Sequence, residues 1–170
     1  MTILEAIEGL RTKVDEDPAR ALVTIKAEAR LEEGTATTIK AGAHSLAADE
    51  PRSIGGTGTA PNPVQLVLAS LASCQAITYR YWSELLGIRL DALTVRVEGD
   101  VDQRGFLGLA EGVPAGTTAV RVTVTVEGPE TPERYGDLRR SVDTHCPVLD
   151  VFTMPLAVER RLEIGTSQSR

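Results

Sequence analysis

The stretch that most limits how this chain folds is "PNPVQLVLASLASCQAITYRYWSELLG". Asn62 is a favoured helix N-cap and Pro63 a favoured first-turn residue. Gly87 supplies the left-handed stop that helices often end on. The spacing therefore predicts one helix from Pro63 to Leu86, about 36 Å long at about 1.5 Å per residue. Leu66, Val67, Leu71, Cys74, Ile77, Tyr81 and Leu85 make it apolar nearly all round, so it must be covered on most sides. Ala69, Ser70, Ala72, Ser73 and Ala76 are small enough for another helix or sheet to approach closely. Everything else in a chain of 170 residues has to be arranged around that rod.

Before it, "TILEAIEGLRTKVDED" places Leu4, Ile7, Leu10 and Val14 at helical spacing, a helix over about residues 2–15 that closes near Asp17-Pro18. "ALVTIKAEARLE" alternates as a strand, and "ATTIKAG" and "HSLAAD" read as two more, a small antiparallel meander. "DEPRSIGGTGTAPNP" is a loop. Gly55, Gly56 and Gly58 fall short of a dinucleotide cradle because Pro61 stands where the last glycine belongs, and no Gly-Lys pair makes a P-loop. After the long helix, "DALTVRVEGDVD" and "AVRVTVTVEG" alternate as strands around a Gly-rich loop, "QRGFLGLAEGVPAG". "TPERYGDLRRSVDTH" is a helix capped by Thr131, ended by "CPVLDVFTMP". "LAVERRLEI" alternates again as a closing strand. Strands grouped around helices, without regular alternation, indicate an α+β fold, read here as one domain over 1–170 with an extra N-terminal helix in 1–20.

Charge narrows the function. The net charge is −6 and the basic residues are scattered, which argues against nucleic acid and anionic membrane. Aromatic residues make up 4%, too few for a base-stacking surface. "MTILEAIEGL" lacks the basic start of a secretory signal, and no apolar run reaches bilayer length. The expected compartment is the cytoplasm, where a structural disulfide is unusual. The two cysteines are then either inert core thiols or redox-active ones.

No CxxC occurs, and His44, His145 and Cys146 are too scattered for a zinc site, so no metal is expected. Cys74 lies mid-helix with Ser70, Leu71, Ile77 and Thr78 three and four places away. By itself it reads as a small hydrophobe. Cys146 follows a helix, beside His145 and before Pro147. His145 is a candidate hydrogen-bond partner or cation for a thiolate, or simply a histidine at a helix C-terminus. Ser53 and Ser70 lack the context of a hydrolase triad. Asp137, Asp143 and Asp150 read as a solvated face, and Asp100 and Asp102 as a strand end.

The combination "GGTGTAPNPVQLVLASLASC", followed some seventy residues later by "HCPV", resembles the OsmC/Ohr family of thiol-dependent hydroperoxide reductases, in its broader OsmC-like branch. "GDVDQRGFLGL" adds to the likeness, which spans roughly residues 22–164 and leaves the N-terminal helix as an addition. The resemblance implies two antiparallel sheets around the cysteine helix, in an intertwined homodimer with active sites at the subunit interface. It implies a peroxiredoxin-like cycle: Cys74 attacks an organic hydroperoxide in an apolar pocket, Cys146 resolves the sulfenic acid, and an external dithiol reduces the disulfide, with no metal or flavin cofactor. Reductases of this family carry a glutamate directly after the NP, paired with an arginine that holds the thiolate. Here Val64 stands in that place, and valine neither accepts a hydrogen bond nor carries charge. Arg30 and Arg52 are candidates for the arginine; each also reads as an ordinary surface residue. The rival readings are a non-catalytic dimer of the same fold that binds a small apolar ligand at the interface, and a structural dimer with no ligand.

Overall fold

The computed structural model describes residues 1–165. Helix α1 runs over Ile3–Glu16 and starts on a capping box between Thr2 and Glu5. A 3₁₀ turn over Pro18–Ala21 follows. Strands β1 (Ala27–Leu31), β2 (Thr37–Ala41) and β3 (His44–Ala48) form an antiparallel meander. The register pairs Ala29 with Ile39 and Ile39 with Leu46. Gly42 turns β2 into β3 at φ +59°, a backbone conformation that costs glycine little. The strand expected in "ALVTIKAEARLE", residues 21–32, forms only over Ala27–Leu31. Residues 22–26 have no partner, and Leu22, Val23 and Ile25 stand in solvent.

The long helix α2 (Pro63–Leu86) has the expected ends. The Asn62 side chain accepts from the Gln65 N–H, and Gln65 returns the bond to the Asn62 N–H. Gly87 sits in the left-handed region at φ +60°. Strands β4 (Ala92–Val101) and β5 (Thr117–Glu127) make a second antiparallel sheet, in register from Ala92↔Glu127 to Asp100↔Ala119, with a shift before Val101↔Thr117. The loop between them contains one turn of helix, α3 (Gln103–Phe106), which the Gly-rich sequence did not announce. Gly105 allows it, because a Cβ there would stand 2.1 Å from the Pro114 carbonyl oxygen.

Helix α4 (Pro132–His145) is capped by Thr131 as expected. The sequence "CPVLDVFT" does more than end it: Pro147–Thr153 forms a further helix, α5. The closing strand expected at "LAVERRLEI" is not formed. Residues 155–165 take no regular structure and are exposed.

The core lies between the C-terminal half of α2, α4 and the β4–β5 sheet. Tyr79, Ile88, Leu90, Leu138 and Val142 form its buried cluster, flanked by Trp82, Leu93, Val124, Val126 and Tyr135. The β4 pattern is the physical reason: Leu93, Val95 and Val97 turn inward while Thr94, Arg96 and Glu98 face water. The N-terminal sheet packs little against this core, and every residue of β1 is exposed.

Candidate functional site

The cysteines are placed by two different local rules. Cys74 is carried in the middle of α2 by helical continuity. Cys146 is the single residue between α4 and α5, with extended φ −85° and ψ 109°. Pro147 enforces this, because a residue before proline is pushed out of the helical region. The chain therefore breaks at Cys146, and the side chain turns inward to 2% exposure. Its Sγ lies 3.5 Å from Cys74 Sγ, and both thiols are free. Residues 72 positions apart are thus in direct sulfur contact.

Burial pushes the Cys74 thiol above its ordinary pKa, and the neighbouring Cys146 sulfur pushes the same way. The Val148 N–H and the Thr78 hydroxyl draw it back in part. Thr78 Oγ1 donates to the Cys74 carbonyl at 2.8 Å. No arginine or lysine is among the groups acting on the thiol among the described residues.

The other candidates stand elsewhere. Arg30 is an exposed strand residue 4.0 Å from Glu32. Arg52 Nε donates to the Thr57 carbonyl at 3.4 Å, within the loop before α2. His145 turns away from the sulfurs: its Nδ1 bonds the Ser141 carbonyl oxygen at 2.7 Å and its ring lies over Trp82, centroids 4.2 Å apart. Val64 lies ten residues from Cys74 on one unbroken helix, about 15 Å along its axis. It helps wall an apolar cleft of about 470 Å³ with Ile54, Leu68, Val101, Phe106 and Leu107. Cys74 is not in that lining, so within one chain the thiol is not the floor of this apolar cleft.

Sequence reasoning missed Asp49. Its carboxylate is 2% exposed and gathers the loop before α2. It accepts from Thr35 Oγ1 at 2.6 Å, Thr57 Oγ1 at 2.6 Å, and the Thr57 and Glu50 N–H groups, each at 2.9 Å. Thr59 adds longer contacts from its N–H and hydroxyl. These bonds hold the carboxyl well below the usual carboxylate range, the Thr35 and Thr57 hydroxyls foremost. This network explains the glycines. Gly56 passes so close to Glu50 that a Cβ would stand 1.7 Å from its carbonyl oxygen. The threonines flanking Gly58 were the available signal, since threonine-rich loops supply hydroxyls to a buried acid. Asp100 and Asp102 are engaged with Arg121 and Arg104. The described residues hold no cluster of three metal-ligating side chains.

Comparison with known proteins follows the same outline. The family model described as OsmC-like protein matches residues 56–160. No curated protein matches the chain. Among solved structures, an OsmC-like protein from Mycoplasma pneumoniae superposes with a TM-score of 0.68 at 17% identity, covering 77% of this chain and 88% of that one. An organic hydroperoxide resistance protein OsmC from Legionella pneumophila gives 0.59 at 22% identity, covering 77% and 90%. The organic hydroperoxide resistance protein OhrB of Bacillus subtilis gives 0.52 at 20% identity, covering 76% and 90%. At these identities the superpositions speak for the fold.

Proposed function

The chain belongs to the OsmC-like family, and we propose that it is a thiol peroxidase that reduces organic hydroperoxides through Cys74 and Cys146. The observation that carries this reading is the 3.5 Å Sγ–Sγ contact between residues from different helices. An inert core has no need to bring its two thiols together; a peroxide-resolving pair does. Hydroperoxide resistance in the names of the Legionella and Bacillus neighbours supports the same class.

The Cys74 thiolate attacks one oxygen of the hydroperoxide. The O–O bond breaks, an alcohol leaves with a proton, and Cys74 becomes a sulfenic acid. The Cys146 sulfur then attacks the sulfenic sulfur, which sits within a bond-forming movement of about 1.5 Å. The Cys146 proton leaves with the hydroxyl as water, and a disulfide remains. An external dithiol returns two electrons and two protons. Two free thiols that must be kept reduced fit a cytoplasmic setting. No described helix is long and apolar enough to cross a membrane.

The same reading includes a homodimer built on one domain over 1–170, with α1 as its added N-terminal element. Val67, Ile77 and Tyr81 leave much of α2 uncovered, and Leu31 and Leu46 leave the N-terminal sheet so. Apolar surface of that extent marks an interface. Sedimentation at micromolar concentration should give twice the chain mass; a stable monomer refutes the dimer.

The catalytic reading is tested by following cumene hydroperoxide consumption with a dithiol donor. A dimedone-type probe in the Cys146→Ser variant then locates the sulfenic acid. Turnover, with label on Cys74, is the expected result. Val64 favours a second reading, a dimer that binds a small apolar ligand without turnover, because it gives the cleft an apolar wall where the reductases have a carboxylate. Absent consumption with both thiols reduced and accessible selects that reading.

A further inference from the structure

Helix α4 is fixed to its surroundings at its start, in its middle and at its end, and the last fixing point is next to Cys146. At the start, the Arg134 guanidinium donates to the Leu86 and Gly87 carbonyl oxygens at 3.5 and 3.1 Å. In the middle, Leu138 and Val142 are fully buried. His145 follows on the same face by helical spacing. Its ring lies against Trp82 of α2, centroids 4.2 Å apart and planes 33° from parallel. Its Nδ1 stands 2.7 Å from the Ser141 carbonyl oxygen. A carbonyl only accepts, so Nδ1 carries the proton and donates it. That bond ties the ring to its own helix and fixes how it meets the indole.

Helix ends fray, and fraying at this end would carry Cys146 with it. Trp82 belongs to the same unbroken helix as Cys74. Fixing His145 to Trp82 therefore fixes Cys146 relative to Cys74, whose sulfur it meets at 3.5 Å. We infer that His145 is a positioning residue: by clipping the end of α4 to Trp82, it holds the Cys146 sulfur where the disulfide closes.

The purpose of the clip rests on the reading of Cys74 and Cys146 as a peroxide-resolving pair, and the step it serves is the second one. The S–S bond forms, the S–O bond of the Cys74 sulfenic acid breaks, and the Cys146 proton leaves with the hydroxyl as water. His145 touches none of these atoms. It limits where Cys146 can go before the bond forms. A dithiol held this way loses little freedom on closing; one on a fraying helix end loses more. This role differs from that of a cation or hydrogen-bond partner for a thiolate, because the ring points to Trp82 and Ser141.

The equilibrium between dithiol and disulfide reads that freedom. The unmodified protein and His145→Ala are equilibrated in buffers of reduced and oxidised dithiothreitol, and the remaining thiols are alkylated and counted by mass spectrometry. His145 is exposed, so its loss leaves the core in place. His145→Ala should favour the dithiol about tenfold more, a shift of about 30 mV for a two-electron couple. His145→Phe keeps a ring against Trp82 and should stay within about threefold of the unmodified protein. A general loss of stability shared by both redox forms moves neither ratio. An unchanged ratio in His145→Ala overturns the proposal, and so does a His145→Phe ratio as weak as that of His145→Ala. The measurement needs no peroxide. Absent peroxide turnover with a shifted ratio counts against the peroxidase alone; turnover with an unchanged ratio counts against the positioning alone.

Discussion

The cysteine pair and Asp49 are two acids buried by the same protein, and they are treated in opposite ways. Asp49 is 2% exposed and its proton is easier to lose than in water. Cys74 is half-buried and its proton is harder to lose. Burial penalises the charged form at both sites. The difference is the donors. Three threonine hydroxyls and several N–H groups converge on Asp49, while Cys74 has one N–H, one hydroxyl and a second thiol. Among the described residues, no cation is among the groups that shift either acid. Hydrogen bonding to the charged form decides which acid ionises, and position in the fold decides how many donors arrive. The first region is built to stay fixed; the second keeps a thiol with few donors 3.5 Å from a second thiol.

The sharpest way to break this comparison is to remove the sulfur. Cys74→Ser should lower peroxide turnover by at least about a thousandfold, as loss of a nucleophile does. Cys146→Ser should keep one reducing event per chain and lose the disulfide. Equal turnover in Cys74→Ser and the unmodified protein ends the assignment of roles.

A second test is pH. A thiol whose pKa is raised holds little thiolate near neutrality, and the thiolate is what reacts. Alkylation of Cys74 by iodoacetamide, read by mass spectrometry, should therefore rise about tenfold per pH unit from about pH 7 to 9. A plateau already reached at pH 7 would show a lowered pKa and a cation that a single chain does not supply.

Asp49 offers the converse titration. Its folded pKa lies below its ordinary 3.8. The stability it contributes is therefore present above that value and is lost as the pH falls through it toward the folded pKa. Asp49→Asn should lower the melting temperature at pH 7 and flatten the acid-dependent loss below about pH 4 that the unmodified protein shows. An unchanged acid transition would mean that the carboxylate does not hold the loop.

The smallest expected effect is at Val64. From about 15 Å along α2, a carboxylate introduced by Val64→Glu cannot touch the thiol of its own chain. Turnover should change by less than about twofold. A gain of tenfold at unchanged melting temperature would require the second subunit to bring position 64 and an arginine to Cys74.

Local rules made much of this protein legible in its sequence. Helix α2 was readable to the residue at both ends, because Asn62, Pro63 and Gly87 act on their own neighbours. The Thr131 cap of α4 and the alternation of β4 and β5 were readable for the same reason. Where the pattern needed a distant partner, the reading failed. Residues 22–26 and 156–164 alternate like strands but have no neighbour to pair with in the structure. The short helices α3 and α5 were hidden, one by glycine and one by proline, which sequence patterns count as breakers.

The site divides along the same line. The sequence by itself determined that Cys146 would leave the helix, since Pro147 acts on the residue before it. It determined that Cys74 would ride in a helix, and its motifs carried the family. Only the tertiary structure decided that the two sulfurs meet, that His145 turns instead to Trp82, and that Asp49 anchors the threonine loop. Those outcomes depend on how α4 and α5 pack across α2 and how the loop folds over β3. Such contacts join residues far apart in the chain, where no spacing rule reaches.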